Sequence, residues 1–474
     1  MQGASFSRAQ DLARFIKEKK FKILNLCHIP EDGRLKTLSF TVRNEPRTLE
    51  ILDFGERVDG SSLFSGIEAG ESDVYIRPRL DKSFINPFTP QKTINVLCEY
   101  LDCKGEPLDA APQTVLNKAQ SRLAESTGIE LQTFAELEFY VISRNRDNLV
   151  FAGESDRNYH ESAPFALFEN LRNYILTVLE NVGISTKYGH SEVGRMIGDG
   201  SSFMEQHEVE FLPESPADMA DTVAVAKWVV RNVCAAHGVS VSFSPKVALE
   251  HAGTGMHVHL CALRIGKNIV SDARGELTNN SLQMIGGILN HASSLSAFAN
   301  PLPVSYLRFI AHKESPMGTC WSARNRTALI RIPLWWNHEK RIKASKYHRE
   351  TFEYRGPDPL ANPHLLFGGL ILSVRDGLEK GEESLKLAKD LHGDGHCSKT
   401  DSAHSGTLPH SCSEAADSLQ RDRRLYEAGH IYPEKLIQEN INRLRSYSDR
   451  GMWEELLKKP ENLRAVLARF LDCG

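Results

Sequence analysis

Four short stretches alternate ionisable and apolar residues with the two-residue period of a β-strand. Met256-His257-Val258-His259-Leu260 puts both imidazoles on one face and the apolar side chains on the other. Phe134-Ala135-Glu136-Leu137-Glu138-Phe139 does the same with two carboxylates, and Gln206-His207-Glu208-Val209-Glu210-Phe211 again alternates acids with apolar or aromatic residues. In Phe352-Glu353-Tyr354-Arg355 an acid and an arginine share a side. Carboxylates facing one another from several strands repel and desolvate unless positive charge sits between them. Oxygen-rich donors suit hard divalent cations, magnesium or manganese, and an imidazole tips the choice slightly toward manganese.

These stretches need a scaffold that brings strand faces together. The 474 residues are enough for a large core and two domains. The 57 basic and 61 acidic residues nearly cancel, so the total charge shows no nucleic-acid footprint and no acidic tail. Nine dispersed cysteines without a CxxC pair suit a reducing compartment better than a disulfide framework. The N-terminus reads as an amphipathic helix rather than a leader, and no apolar run reaches membrane-spanning length. A soluble, cytoplasmic protein is the expectation.

Along the chain, a helix is expected over 6–18, then a strand over 21–27 and further strands near 36–42 and 91–101. Between them lies a loop with Asp59-Gly-Ser-Ser and Glu71-Ser-Asp73. The Pro107–Pro112 stretch marks a boundary between a small α+β unit, 1–106, and a larger one, 107–474. Helices are expected over 113–127 and 162–182, and Ser215-Pro216-Ala217-Asp218 opens a long one that stops at Gly238. Residues 194–203 read as a loop-like insert, and the His/Cys-rich segment 390–412 as a flexible exposed loop that matches no zinc motif.

The motifs recur in order over nearly the whole chain and together resemble the glutamine synthetase family, in particular its prokaryotic type I branch. They are Asp59-Gly-Ser-Ser, Glu71-Ser-Asp73, Glu136-Leu-Glu138-Phe, His190-Ser-Glu192-Val with Glu205-Gln-His-Glu208, and Gly253-Thr-Gly-Met-His257-Val-His259. Ser305-Tyr-Leu-Arg308, Ser322-Ala-Arg-Asn-Arg326 running to Arg331-Ile-Pro, and Glu353-Tyr-Arg355-Gly-Pro-Asp-Pro follow. The resemblance implies an α+β fold: a β-grasp N-terminal domain before a catalytic domain with a curved antiparallel sheet flanked by helices. It implies two or three Mg²⁺ or Mn²⁺ ions, with Glu138, Glu192 and Glu208 holding one and Glu136, His257 and Glu353 another. ATP is the implied co-substrate, with His259, Arg326 and Arg331 on the nucleotide side. Arg308, Arg355, Gly253, Tyr159 and Asp73 fall to substrate binding, and Asp59, Glu314 and Arg326 to catalysis. The implied assembly is a dodecamer of two hexameric rings, each active site shared between subunits, with no nucleic acid or membrane partner.

The implied reaction joins glutamate and ammonia through γ-glutamyl phosphate. Three departures bear on it: Ala252 and Val304 stand where the family has asparagine, and Cys261 where it usually has serine. Each removes a hydrogen-bonding group, an effect of about 0.5–1.5 kcal/mol. A ligase of the same fold acting on a polyamine or other amine is therefore the alternative, and a non-catalytic, assembly-forming relative is a third. The 390–412 segment keeps only Leu408-Pro409 of the family's adenylylation loop, so no adenylylation is expected there.

Overall fold

The computed structural model describes residues 5–143, 153–197, 203–311, 315–335, 350–393 and 408–473. Its first part is a five-stranded sheet under two helices. Helix α1 (Ala9–Glu18) buries Ala9, Leu12, Ala13 and Ile16, the spacing of a single apolar stripe. Strands β1 (Ile23–His28) and β2 (Lys36–Thr41) form a hairpin, and α2 (Glu45–Phe54) starts where the Asn44 side chain accepts from Arg47 N. With β3 (Glu56–Asp59), β4 (Asp73–Ile85) and β5 (Thr93–Leu101), the sheet runs β2-β1-β5-β4-β3. β1 and β5 are parallel at its centre and the other pairs antiparallel, a β-grasp arrangement.

The second part is built on a nine-stranded sheet. Helix α3 (Pro112–Thr127) leads into β6 (Glu130–Ser143), and α4 (Glu169–Asn181) into β7 (Thr186–Ile197) and β8 (Phe203–Phe211). Helix α5 (Pro216–Ala236) precedes β9 (Ser240–Ser242), β10 (Met256–Arg264) and β11 (Lys267–Asn268). Helices α6 (Asn279–Asn290), α7 (Ala292–Ala299) and α8 (Pro303–Ala311) lead to β12 (Gly318–Ala323), β13 (Ala328–Ile332) and β14 (Phe352–Tyr354). Helices α9 (Pro363–Lys380), α10 (Glu382–Asp390), α11 (Cys412–Glu427) and α12 (Glu434–Ser446) follow. The main order is β12-β13-β14-β10-β6-β8-β7, with β6 near the middle.

The period-two patterns now have a physical cause. Ala135, Leu137 and Phe139 of β6 and Met256, Val258 and Leu260 of β10 are buried in one core on the helix side, which leaves the glutamates and histidines the opposite face. Helices α3 and α5 contact β6, and α9 packs across α3, α5 and α6. α5 is capped as its sequence suggests, with Ser215 Oγ accepting from Asp218 N and Pro216 opening the helix. α6 and α9 cross where Gly287 meets Gly377: a Cβ on Gly287 would lie 2.2 Å from the Ser373 carbonyl oxygen.

Buried polar clamps join the two parts. Arg79 of β4 reaches Asp221 of α5 at 2.6 Å, and His364 of α9 holds the other oxygen of that carboxylate at 3.1 Å. Asn362 Nδ2 donates to the carbonyls of Pro30 and Glu31 at 3.1 and 3.0 Å.

Several expectations are corrected. The helix expected over 162–182 begins only at Glu169, because 162–168 is a turn whose Leu167 and Phe168 N–H groups donate to the Glu205 carboxylate from another strand. The expected insert at 194–203 is the end of a β-hairpin: Arg195, Met196 and Ile197 pair with Glu205, Met204 and Phe203. Residues 198–202 lie outside the described residues, as do 394–407 of the polar segment and Glu314. The sheet is antiparallel except at β12–β13, which is parallel. Seven described cysteines are free, whereas Cys320 is disulfide-bonded, against the expectation of free thiols. Among the described residues no helix is long and apolar enough to cross a membrane.

Candidate active site

Strand register brings the acids and imidazoles together. Glu136 sits opposite Glu210 on one side and His257 on the other, and Glu138 opposite Glu208. His259 faces Glu353, which faces Arg331 in turn, and His190 faces Glu208. One small enclosed pocket is lined by Glu136, Glu138, Glu192, Glu208, Gln206, Gly253, His257, Arg326 and Arg355.

Four sets of donor atoms in this region lie within 4.8 Å of one another. Glu136, His257 and Glu353 form one. Glu138, Glu192 and Glu208 do not form a single triple. Glu138 and Glu208 meet with His257, and Glu192 and Glu208 meet with His190, so Glu208 links the two halves. Glu136, Glu210 and His259 form the fourth. His190 and Glu210 thus join these donor sets although the motifs give them no role; the sequence signal is their place two residues from Glu192 and Glu208.

Hydrogen bonds fix the cluster. Glu136 bridges both imidazoles, 2.8 Å to His257 Nδ1 and 2.9 Å to His259 Nε2, while His259 Nδ1 lies 3.0 Å from Thr351 Oγ1. Glu138 accepts from Gly255 N at 2.7 Å and from Gln206 Nε2 at 3.1 Å, and the same Gln206 amide donates to the Gly253 carbonyl at 2.9 Å. Glu353 accepts from Arg355 and, at 2.7 Å, from Arg331.

The charge balance is uneven. Burial and the neighbouring Glu192 push the Glu138 carboxyl up to about 8, and burial with Glu136, Glu138 and Glu192 raises Glu208 well above the carboxylate range. Burial opposes ionisation of Glu353 and Glu136 too, but Arg355 holds Glu353 at about 2, and His259 and His257 hold Glu136 well below its usual value. Burial and Arg355 lower His257 to about 4. Glu138 and Glu208 therefore have less compensating positive charge than Glu136 and Glu353, and this oxygen-rich donor set fits a hard divalent cation.

The remaining expected residues divide. Arg326 lines the pocket and lies over the Tyr159 ring, 5.8 Å from its centroid. Tyr159 stacks on His160 at 4.2 Å and meets His190 edge-on at 5.3 Å. Arg308 is fully buried; its Nη1 and Nη2 donate to the carbonyls of Arg355, Gly356 and Pro357, and its Nε has no partner among the described residues. It packs against Gly253 and Gly255; a Cβ at Gly255 would sit 2.8 Å from Arg308 Nη2 and 2.6 Å from His257 Nε2. Arg331 is turned to Glu353 and His259 to Glu136, so in this chain both serve the acidic cluster. Ala252, Cys261 and Val304 are all buried, and the Ala252 carbonyl accepts from Tyr140 OH at 2.9 Å.

Asp59 and Asp73 stand apart. They face each other across β3–β4, both exposed, and neither lines the acidic pocket. The hydroxyls of Ser62, Ser61 and Ser72 hold Asp59 at about 2.

Comparison with known proteins agrees with this geometry. Residues 20–103 match the glutamine synthetase β-grasp domain family and residues 109–445 the glutamine synthetase catalytic domain family. A glutamine synthetase of Thermotoga maritima is 30% identical over 439 residues, covering 90% of this chain and 94% of the relative. One from Streptomyces coelicolor is 30% identical over 466 residues, covering 91% and 94%. Among solved structures, the Plasmodium falciparum glutamine synthetase superposes with a TM-score of 0.79 at 21% identity, over 95% of this chain and 97% of that one. GmaS in complex with ADP superposes at 0.73 and 20% identity, over 94% and 97%. With two family domains matched in order and an acidic cluster built on the strands where the motifs lie, this chain belongs to the glutamine synthetase family and is an ATP-dependent ligase.

Proposed function

We propose that the protein is a glutamate–ammonia ligase acting through γ-glutamyl phosphate. The observation that carries this reading is the single pocket in which Glu136, Glu138, Glu192, Glu208 and His257 converge with Arg326 and Arg355 at its wall. Glutamate's γ-carboxylate is a poor electrophile. One of its oxygens attacks the γ-phosphorus of ATP, the bond to the β-phosphate oxygen breaks, and ADP leaves. The ammonium first gives up a proton to solvent; the lone pair so freed attacks the acyl carbon, the phosphate departs with the bonding pair, and the nitrogen loses a second proton to solvent to leave the amide.

Glu136, His257 and Glu353 on one side, and Glu208 with Glu138 and His257 or with Glu192 and His190 on the other, are the residues that would hold the divalent ions. Such ions supply neutralisation of the phosphate charge during transfer. Arg326, at the pocket wall, is suited to the transferring phosphoryl group because its planar guanidinium binds oxyanions in a fork and stays charged. Arg355 keeps Glu353 ionised, and Arg331 hydrogen-bonds it in place. We assign residues 1–106 the role of delivering Asp59 and Asp73 to the site of a neighbouring subunit, where a carboxylate held low takes the cationic amine. That assignment makes a homo-oligomer obligatory for activity.

A second reading, ligation of a larger amine, is favoured by one observation: Tyr159 and Tyr188, 45% and 49% exposed, leave aromatic surface beside the acids. Phosphate release from ATP with glutamate, compared across ammonium, ethanolamine and polyamines, tests both. Fastest turnover with ammonium supports the first reading, and fastest turnover with an organic amine supports the second.

A further inference from the structure

The hairpin that extends between Glu192 and Glu208 carries a polar cluster with no part in the scheme above. β7 bulges there: Ser191 pairs with His207 and the next pair is Arg195 with Glu205. The segment 155–160 captures the bulged backbone. Asp156 N donates to Arg195 O at 3.3 Å, Asn158 N to Val193 O at 3.2 Å, and His160 N to Ser191 O at 2.9 Å, a ladder of alternate residues.

Behind this ladder lie Asn158, Arg195 and Glu205, none more than 1% exposed. The Arg195 guanidinium donates to Asn158 Oδ1, to the Phe165 carbonyl at 2.6 Å and to Glu205 at 3.2 Å. Asn158 Nδ2 donates onward to the carbonyls of Glu192 at 3.1 Å and Gln206 at 3.4 Å. Glu205 accepts from the N–H groups of Leu167 and Phe168, each at 3.1 Å. The fit is tight: a Cβ on Gly153 would lie 1.8 Å from Arg195 Nη1. A buried arginine and carboxylate are costly unless fully bonded, so removing one partner disturbs every group they hold. Those groups are the backbone of Glu192, in the acidic pocket, and the segment that carries Tyr159 against Arg326.

We propose that Asn158, Arg195 and Glu205 are positioning residues that fix Tyr159 at the mouth of the pocket and thereby set which amines enter. The proposal rests on the ligase reading for its substrate but not for its geometry. Two readouts on the full-length protein keep these apart: amide hydrogen exchange without substrates, and steady-state kinetics with glutamate, ATP and a panel of amines. In Asn158→Ala, the amides of 156–168 are expected to exchange at least about tenfold faster, while those of β6 and β10 keep their protection. The KM for the amine rises about tenfold with the ATP KM within about twofold, and the ranking of amines changes. Glu205→Gln keeps an acceptor oxygen for one of the Leu167 and Phe168 amides, which bond to different oxygens of Glu205, and is the second variant should Asn158→Ala not fold. Asn158→Asp, which keeps the acceptor for Arg195, restores part of the protection.

Unchanged exchange over 156–168, or faster exchange with an unmoved amine KM, overturns the proposal. So does uniform loss of protection in every variant, which would make the cluster a general stability element. Absence of glutamate-dependent turnover in the parent protein defeats the ligase reading alone, and the exchange result still decides whether the cluster pins the segment.

Discussion

Filling the acidic cluster with a divalent cation must expel protons, and the structure says from where. With its carboxyl at about 8, Glu138 is about nine-tenths protonated at pH 7 in the cation-free protein, and Glu208 is raised as well. Glu353 and Glu136 are already ionised and His257 is neutral, so they release none. Binding at pH 7 should therefore release about one to two protons, and affinity should rise about ten- to a hundredfold per pH unit below pH ~8. Titration calorimetry with Mn²⁺ in two buffers of different ionisation enthalpy at one pH gives the proton count directly. Glu138→Gln should lower it by about one. The same groups dictate the sign of the stability change. The native cation-free protein holds protons that the unfolded chain, near 4.5, has lost, so its stability falls as pH rises from about 4.5 toward 8, and saturating Mn²⁺ flattens the trend. A proton count near zero at pH 7 would refute the reasoning.

Other expectations follow from single contacts. Asp59→Ala, at an exposed position, should leave the melting temperature within a degree or two yet abolish turnover; mixing it with an Arg326→Ala protein should restore activity if sites are shared between subunits, and no restoration contradicts sharing. Gly255→Ala forces a Cβ to 2.6 Å from His257 Nε2, which should cost about 1–3 kcal/mol in denaturant unfolding and weaken Mn²⁺ binding; an unchanged variant would contradict the packing. Asp221→Ala strands Arg79 and His364 between the two sheets and should cost about 3–5 kcal/mol, read as a lower urea midpoint. His291 lies between Asp376 at 2.8 Å and Asp422 at 3.3 Å; burial opposes its charge, but those partners raise its pKa. Its stabilisation is complete below the unfolded value of 6.5 and is lost as pH rises through the higher native value, so His291→Gln should flatten stability across that window.

The acidic strands were legible because a two-sided sheet imposes alternation that any reader can count: Glu136, Glu138, His257 and His259 announce their shared face. Helix α5 was equally plain, since its start signals are local. What the sequence concealed depends on distant partners. The true start of α4 is set by Glu205, 37 and 38 residues beyond the amides it accepts from. Residues 194–203 read as a loop because glycines, an aspartate and serines crowd the stretch, which hides the pairing of 195–197 with 203–205. Glu138, Glu192 and Glu208 fall into two overlapping donor sets, one completed by His257 and the other by His190. Arg308 carries the residue type of an oxyanion clamp, yet its side chain is committed to the carbonyls of 355–357, an arrangement no spacing reveals.

Phosphate release from ATP with Mg²⁺ or Mn²⁺ should depend on glutamate and on an amine together, and should fall by at least about a hundredfold in Glu138→Gln. Release independent of glutamate, or undiminished in Glu138→Gln, would contradict ligase chemistry at the acidic pocket.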